Sequence, residues 1–236
     1  MMHRWLIAGL LLCGAAHAAD PAPVKPTGLI SVKDFVRTAE AADMLISPDG
    51  KYLALTVPDA DDRNFLVIIN RVDMKVVGSL KARESDTIDE FWWVNDERVI
   101  ASIATKVGGV DKPVPTGELY GVNADNSRSG ILFSYRAQAA NKGTHIKQRD
   151  ARRASATVVD SLRDDDKRVL VTVADWDAKG STEESRPEYG LLDVYSGRFV
   201  SNGSIPLARA QLVADNTGTA RLAYANDNQQ FRQVLV

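Results

Sequence analysis

Short apolar bursts separated by polar turns run along most of this chain, and their spacing is that of strands rather than helices. Residues 44–57, MLISPDGKYLALTV, are the clearest case: Met44-Leu45-Ile46 and Tyr52-Leu53-Ala54-Leu55 flank Ser47-Pro48-Asp49-Gly50. Proline presets φ for a turn and glycine takes the positive-φ position, so the stretch predicts a β-hairpin. The pattern returns three times: around Asn95-Asp96-Glu97-Arg98 between FWWV and VIAS, around residues 163–168 between TVV and VLVTV, and around Asp215-Asn216-Thr217-Gly218. In each copy a polar turn leads to a cation at the start of the second strand: Lys51, Arg98, Arg168 and Arg221.

A second device follows each of the first three hairpins. Strands ending at Asn70, Asn123 and Asp193 lead to Lys75, Arg128 and Arg198, an offset of five residues each time. Each unit thus predicts four strands. Tandem four-stranded antiparallel sheets predict an all-β fold, an incomplete β-propeller of about three and a half blades. A β-sandwich is the alternative, but it does not account for turns at matched offsets. The blades are expected at about residues 43–83, 88–134, 155–202 and 210–236, the last incomplete, within a partial propeller domain of residues 35–236. Rings close with about four to eight blades, so the chain is expected to be the front part of something longer, with an open blade edge available for self-association.

The N-terminus has another character. His3 and Arg4 precede the apolar run from Trp5 to Leu12, followed by Ala16-His17-Ala18, which predicts a cleavable signal peptide over residues 1–18 and a periplasmic or secreted protein without a membrane anchor. Cys13 is the only cysteine and lies in that signal; Leu12 stands where lipidation of Cys13 requires a small residue. Residues 19–34, with Pro21, Pro23 and Pro26, predict an extended linker, and Ser31 is a candidate N-cap for a short helix to about Ala41. A net charge of -2, with 44% apolar and 25% charged residues, is that of an ordinary globular chain and favours no nucleic-acid partner.

Candidate chemistry is sparse. His145 and the cations Lys142, Lys147, Arg149, Arg152 and Arg153 are expected to form a solvated polar insertion, since no positioned Ser or Cys accompanies the histidine. The acidic groups Asp59, Asp61, Asp62 and Asp164, Asp165, Asp166 are expected to be turns. Asn123-x-Asp125-x-Ser127 begins like a calcium loop but has Ser134 where a bidentate Glu belongs. Trp92 and Trp93 point to opposite faces of one strand, and one of them is expected to pack between blades. No catalytic, cofactor-binding or metal-binding residue is expected.

The ordered set formed by residues 35–57, 91–103 (FWWVNDERVIASI), 118–133 (ELYGVNADNSRSGILF), 160–171 and 191–198 resembles the prolyl oligopeptidase family of serine peptidases, in its exported bacterial dipeptidyl aminopeptidase and acylaminoacyl-peptidase-like branch. That resemblance implies a propeller of about seven or eight blades that restricts access of peptide substrates to a C-terminal α/β-hydrolase domain. It also implies a G-x-S-x-G nucleophile elbow. No Gly here is followed two positions later by Ser, so neither elbow nor triad is present and the catalytic domain is absent from this sequence. In the dipeptidyl-peptidase branch, paired glutamates hold the substrate's amino terminus; Glu183-Glu184 is such a pair without the rest of the motif. The expected function is that of an inactive propeller fragment of such a peptidase; the alternative is a non-catalytic periplasmic module that binds protein or peptide.

Overall fold

The structure is a computed structural model that describes residues 41–83, 85–110, 112–136, 152–177, 179–215, 217–227 and 230–235. The signal and linker segments, the expected helix up to residue 40 and His145 lie outside the described residues. Among the described residues fifteen strands follow in chain order: β1 (Met44–Ile46), β2 (Tyr52–Pro58), β3 (Asn64–Asn70), β4 (Val76–Leu80), β5 (Asp86–Trp93), β6 (Arg98–Thr105), β7 (Val114–Asn123), β8 (Gly130–Phe133), β9 (Ala154–Asp160), β10 (Arg168–Asp175), β11 (Glu188–Asp193), β12 (Phe199–Ser204), β13 (Gln211–Ala214), β14 (Ala220–Asp227) and β15 (Gln230–Leu235). No helix occurs among the described residues.

Each sheet is a meander of consecutive antiparallel strands: β1-β2-β3-β4, β5-β6-β7-β8, β9-β10-β11-β12 and β13-β14-β15. A sandwich would draw each sheet from separated parts of the chain, which is not seen. The first hairpin is paired as its sequence predicts, with Met44 opposite Leu55 and Ile46 opposite Leu53. Gly50 adopts φ 72° in its turn, a conformation an L side chain rarely takes.

Successive sheets stack face to face, and the apolar core lies in the joints. Ala54, Leu66 and Ile68 of the first sheet meet Phe91, Val99 and Ile103 of the second. Ile100, Leu119 and Leu132 of the second meet Val169, Val171 and Val173 of the third, and Leu162 and Leu170 of the third meet Leu212 and Ala223 of the fourth. Alternation along β6 therefore separates two cores rather than core from solvent: Val99, Ile100 and Ala101 are all 0% exposed. Burying an isoleucine such as Ile100 is worth roughly 1.5–3 kcal/mol, so the central strands of each sheet are the main source of cohesion. Stacked four-stranded meanders with their cores between sheets are propeller blades. The arrangement is three complete four-stranded blades followed by a sheet of three described strands.

Both adjacent tryptophans serve joints. Trp93 is 8% exposed, stacks on Tyr52 at 6.3 Å and donates its indole N–H to the Leu45 carbonyl at 3.2 Å, tying the first two blades. Trp92, on the other face of β5, is half-buried against the core between the second and third blades.

Candidate functional site

The turns between first and second strands share one construction. Asp49, Asn95, Asp165 and Asp215 each accept a backbone N–H two residues on, at 2.9–3.0 Å, which closes an Asx turn. Opposite them, the turns between third and fourth strands donate backbone N–H groups of Arg71, Ala124 and Val194 to the carbonyls of Lys51, Glu97 and Lys167. By this register the counterpart of Arg98 and Arg168 is Tyr52 rather than Lys51. The first turn holds one more residue, since Ser47 N–H reaches Tyr52 whereas Val94 N–H reaches Arg98. In blade 1, Lys51 lies over the Tyr52 ring, and in blade 4 Arg221 pairs with Asp215 of its own turn at 2.7 Å.

Arg98 departs from this pattern because its turn residue is Asn95, an amide instead of a carboxylate. Its guanidinium is 1% exposed and crosses the joint to the third blade: Nε and Nη2 donate to the Val194 carbonyl at 3.0 and 2.7 Å. Nη1 donates to Asn123 Oδ1 at 3.1 Å and to the Arg128 carbonyl at 2.8 Å. The Tyr195 ring lies 5.0 Å from the Arg98 guanidinium and 5.5 Å from that of Arg128, and its hydroxyl accepts from Asn95 Nδ2 at 3.0 Å. Asn95 Nδ2 also donates to the Asp166 carbonyl at 2.6 Å. This is a polar lock between blades, with its donors used on protein oxygens.

At the opposite end of the second blade, Asp86 of β5 and Glu118 of β7 are both buried. Arg136 bridges them, with Nη2 2.9 Å from Asp86 Oδ2 and in hydrogen-bonded contact with Glu118 Oε2. Thr105 donates its hydroxyl to Asp86 Oδ1 at 2.6 Å, and Ser134 donates to Glu118 Oε1. Two carboxylates held by one cation and two hydroxyls are a compact internal network.

The third feature is a cleft of about 530 Å³ between the third and fourth blades. Leu162, Leu170 and Leu191 form its apolar floor, and Asp164, Asp165, Arg168, Asn202 and Thr217 line its mouth. Arg168 pairs there with Asp165 at 2.6 Å, with its side chain 52% exposed.

The residues singled out by sequence fall as follows. Asp59 and Asp61 wrap Arg63, each with a carboxylate oxygen 2.8 Å from Nη2, and Asp62 takes φ 62° in that turn. Asp125 accepts the Ser127 N–H at 2.9 Å, while Ser134 is turned into the Glu118 network. Glu183 and Glu184 sit exposed in the loop between β10 and β11. Arg152 is held by Asp175 through two contacts at 2.7 and 2.9 Å and by Glu188 at 2.9 Å, so the one cation of the insertion with described ion pairs is neutralised within its blade. Among the described residues no group of three or more His, Cys, Asp or Glu is placed to hold a metal ion, and there is no histidine. No helix among them is long and apolar enough to cross a membrane. Sequence reading missed the Asp86–Glu118–Arg136 network. Its signal was parity: Asp86 shares a strand face with core Ile88, and Glu118 with core Val122.

The turn carboxylates set an acid limit. Backbone and guanidinium hydrogen bonds from Arg63 lower the Asp59 pKa to about 2, and hydrogen bonds from Thr217 and Arg221 lower that of Asp215. A carboxyl depressed in the folded state contributes stability that is complete above its unfolded value near 3.8 and is lost as pH falls through the folded value. Urea midpoints of the wild type are therefore expected to drop between about pH 4 and pH 2, and those of Asp59→Asn to drop less over that window. Parallel curves for the two proteins would contradict the assignment.

No protein-family model and no curated protein matches the chain. Among solved structures it is similar to a conserved lipoprotein from Clostridium novyi NT, at 16% identity over 67% of this chain and 89% of that one, TM-score 0.42. It is also similar to an oligogalacturonate lyase in complex with manganese, at 13% identity over 80% of this chain, TM-score 0.46, and spans 48% of that chain. A third is the β-propeller domain of the Trilobed protease from Pyrococcus furiosus, whose topology is an open velcro; it shares 10% identity over 84% of this chain and 71% of that one, TM-score 0.35. The chain is accordingly described by its fold, a run of stacked propeller blades.

Proposed function

We propose that residues 35–236 are the propeller portion of an exported serine peptidase of the prolyl oligopeptidase family, preceded by a signal peptide at residues 1–18 and a linker at residues 19–34. The observation that carries this reading is the ordered set of motifs from residue 35 to residue 198, whose turns recur at matched positions in consecutive blades. In such an enzyme the blades would admit peptide substrates to a hydrolase domain and perform no chemistry themselves. Consistently, this sequence has no G-x-S-x-G elbow. The purified chain is expected to leave chromogenic dipeptides and acyl-peptides uncleaved and to remain unlabelled by a fluorophosphonate probe. A reading frame that continues past Val236 into further blades and an elbow would support the family; stoichiometric labelling of this chain by the probe would overturn the division of labour.

A further inference from the structure

We propose that the cleft between the second and third blades, at the outer strand β8, is a binding site for a carboxylate, held by the Arg128 guanidinium and the Ile131 N–H. The preceding joint, between the first and second blades, shows how an outer strand is covered. There the turn after β7 reaches β4: Asn126 Oδ1 accepts the Ser79 N–H at 3.2 Å, and a Cβ added to Gly78 would meet the Ala124 carbonyl at 2.6 Å. Gly130 of β8 is the counterpart of Gly78, since Gly78 lies opposite Ile68, two residues before Asn70, and Gly130 lies opposite Gly121, two residues before Asn123. A Cβ added to Gly130 would meet nothing within 4 Å.

The cause lies in one residue of each turn. Asn126 and Gly197 take the same left-handed conformation, φ 65° and 67°, and each donates its N–H to the carbonyl of the Asn or Asp that opens its turn, at 2.9 and 2.8 Å. Asn126 carries an amide that spans its joint; Gly197 carries no side chain. Ser196, beside it, accepts the Arg198 N–H of its own turn at 3.3 Å, and the Val194 carbonyl is taken by Arg98. The result is a cleft of about 340 Å³ bordered by Arg128, Ser129, Ile131, Leu132 and Tyr195. Both blades that form it have four strands.

The donors around this cleft suit an anion. Ile131 lies opposite Tyr120 as Ser79 lies opposite Val67, so the alternation of N–H directions along the ladder turns the Ile131 N–H outward as it does that of Ser79. The exposed Arg128 guanidinium lies 5.5 Å from the Tyr195 ring, whose hydroxyl is held by Asn95. Among the described residues no carboxylate pairs with Arg128, because Asp125 of the same turn accepts the Ser127 N–H instead. An acceptor oxygen at the Asn126 position satisfies the strand N–H; a carboxylate adds a second oxygen and the charge that a guanidinium fork matches.

The inference stands independently of the peptidase-family reading. Its test is an NMR titration of the nitrogen-15-labelled full chain with sodium propionate, exchanged for chloride at constant ionic strength. Saturable shifts of the Ile131 amide and the Arg128 Nε signal are expected, with a Kd raised about tenfold or more by Arg128→Gln, as for loss of a hydrogen bond to a charged donor. Gly197→Asn places an amide where Asn126 has one, at a φ that asparagine tolerates, and is expected to abolish binding while leaving the urea midpoint unchanged or higher. The peptide acetyl-Ala-Ala-Glu-amide and its Gln analogue separate two sources of the carboxylate. Tighter binding of the Glu peptide than of propionate, lost in the Gln peptide, assigns the site to an acidic side chain, and equal affinity assigns it to free carboxylates. Absence of a saturable shift at Ile131, or shifts retained in both protein variants, would overturn the proposal.

Discussion

Replacing Arg98 by alanine is expected to lower the unfolding free energy by about 3 kcal/mol, more than any exposed substitution in the chain. The guanidinium is 1% exposed and supplies four hydrogen bonds to three oxygens, and the Val194 residue that accepts two of them is itself 0% exposed. Truncation leaves the Val194 carbonyl without its two donors in a space water reaches poorly, and a buried acceptor left so costs about 1–3 kcal/mol. It also removes the cation from the face of Tyr195. Lysine restores charge but not the fork that reaches the Val194 and Arg128 carbonyls together, so Arg98→Lys is expected to recover less than half of the loss. Chemical denaturation of the three proteins measures this, and a midpoint for Arg98→Ala equal to that of the wild type would refute the lock. Hydrogen exchange is expected to show the loss concentrated in the second and third blades.

A second large effect is expected for Arg136→Ala, about 3–5 kcal/mol of destabilisation. The reason differs, since here the variant keeps two buried carboxylates, Asp86 and Glu118, and removes the cation between them. Uncompensated buried charge costs more than a lost contact. The double variant Glu118→Gln/Arg136→Ala is therefore expected to be more stable than Arg136→Ala alone, although it departs further from the natural sequence. If the double variant proved less stable than the single, loss of packing over the Tyr135 ring, 5.3 Å from the guanidinium, would explain the effect better.

The all-β fold and its repetition were legible because they rest on local chemistry. Ser47-Pro48-Asp49-Gly50 forms its turn from residues adjacent in the chain, and the five-residue offset from Asn70 to Lys75 and from Asp193 to Arg198 is the spacing at which the first backbone N–H meets the second carbonyl, both at 2.9 Å. Even there one repeat differs, for Asn123 closes its turn on Ser127. What could not be read from local pattern was contact between blades. A cation at the start of a strand looks the same in Arg98 and Arg168, yet one is buried against Val194 and the other half exposed beside Asp165. The distinction depends on which turn arrives from the following blade, some hundred residues away in the case of Arg98 and Val194. The Asp86–Glu118 network was hidden for a related reason: polar residues at strand ends pass for solvent-facing ones until their parity is compared with Ile88 and Val122.

Because each apolar cluster is assembled from two consecutive sheets, no blade owns a core. Inheritance must respect that. A gene duplication that copies one whole sheet creates a new joint between two faces that have never met, so adding or removing a sheet obliges the facing side chains to be remade on both partners, as expected where stability resides in nearest-neighbour interfaces.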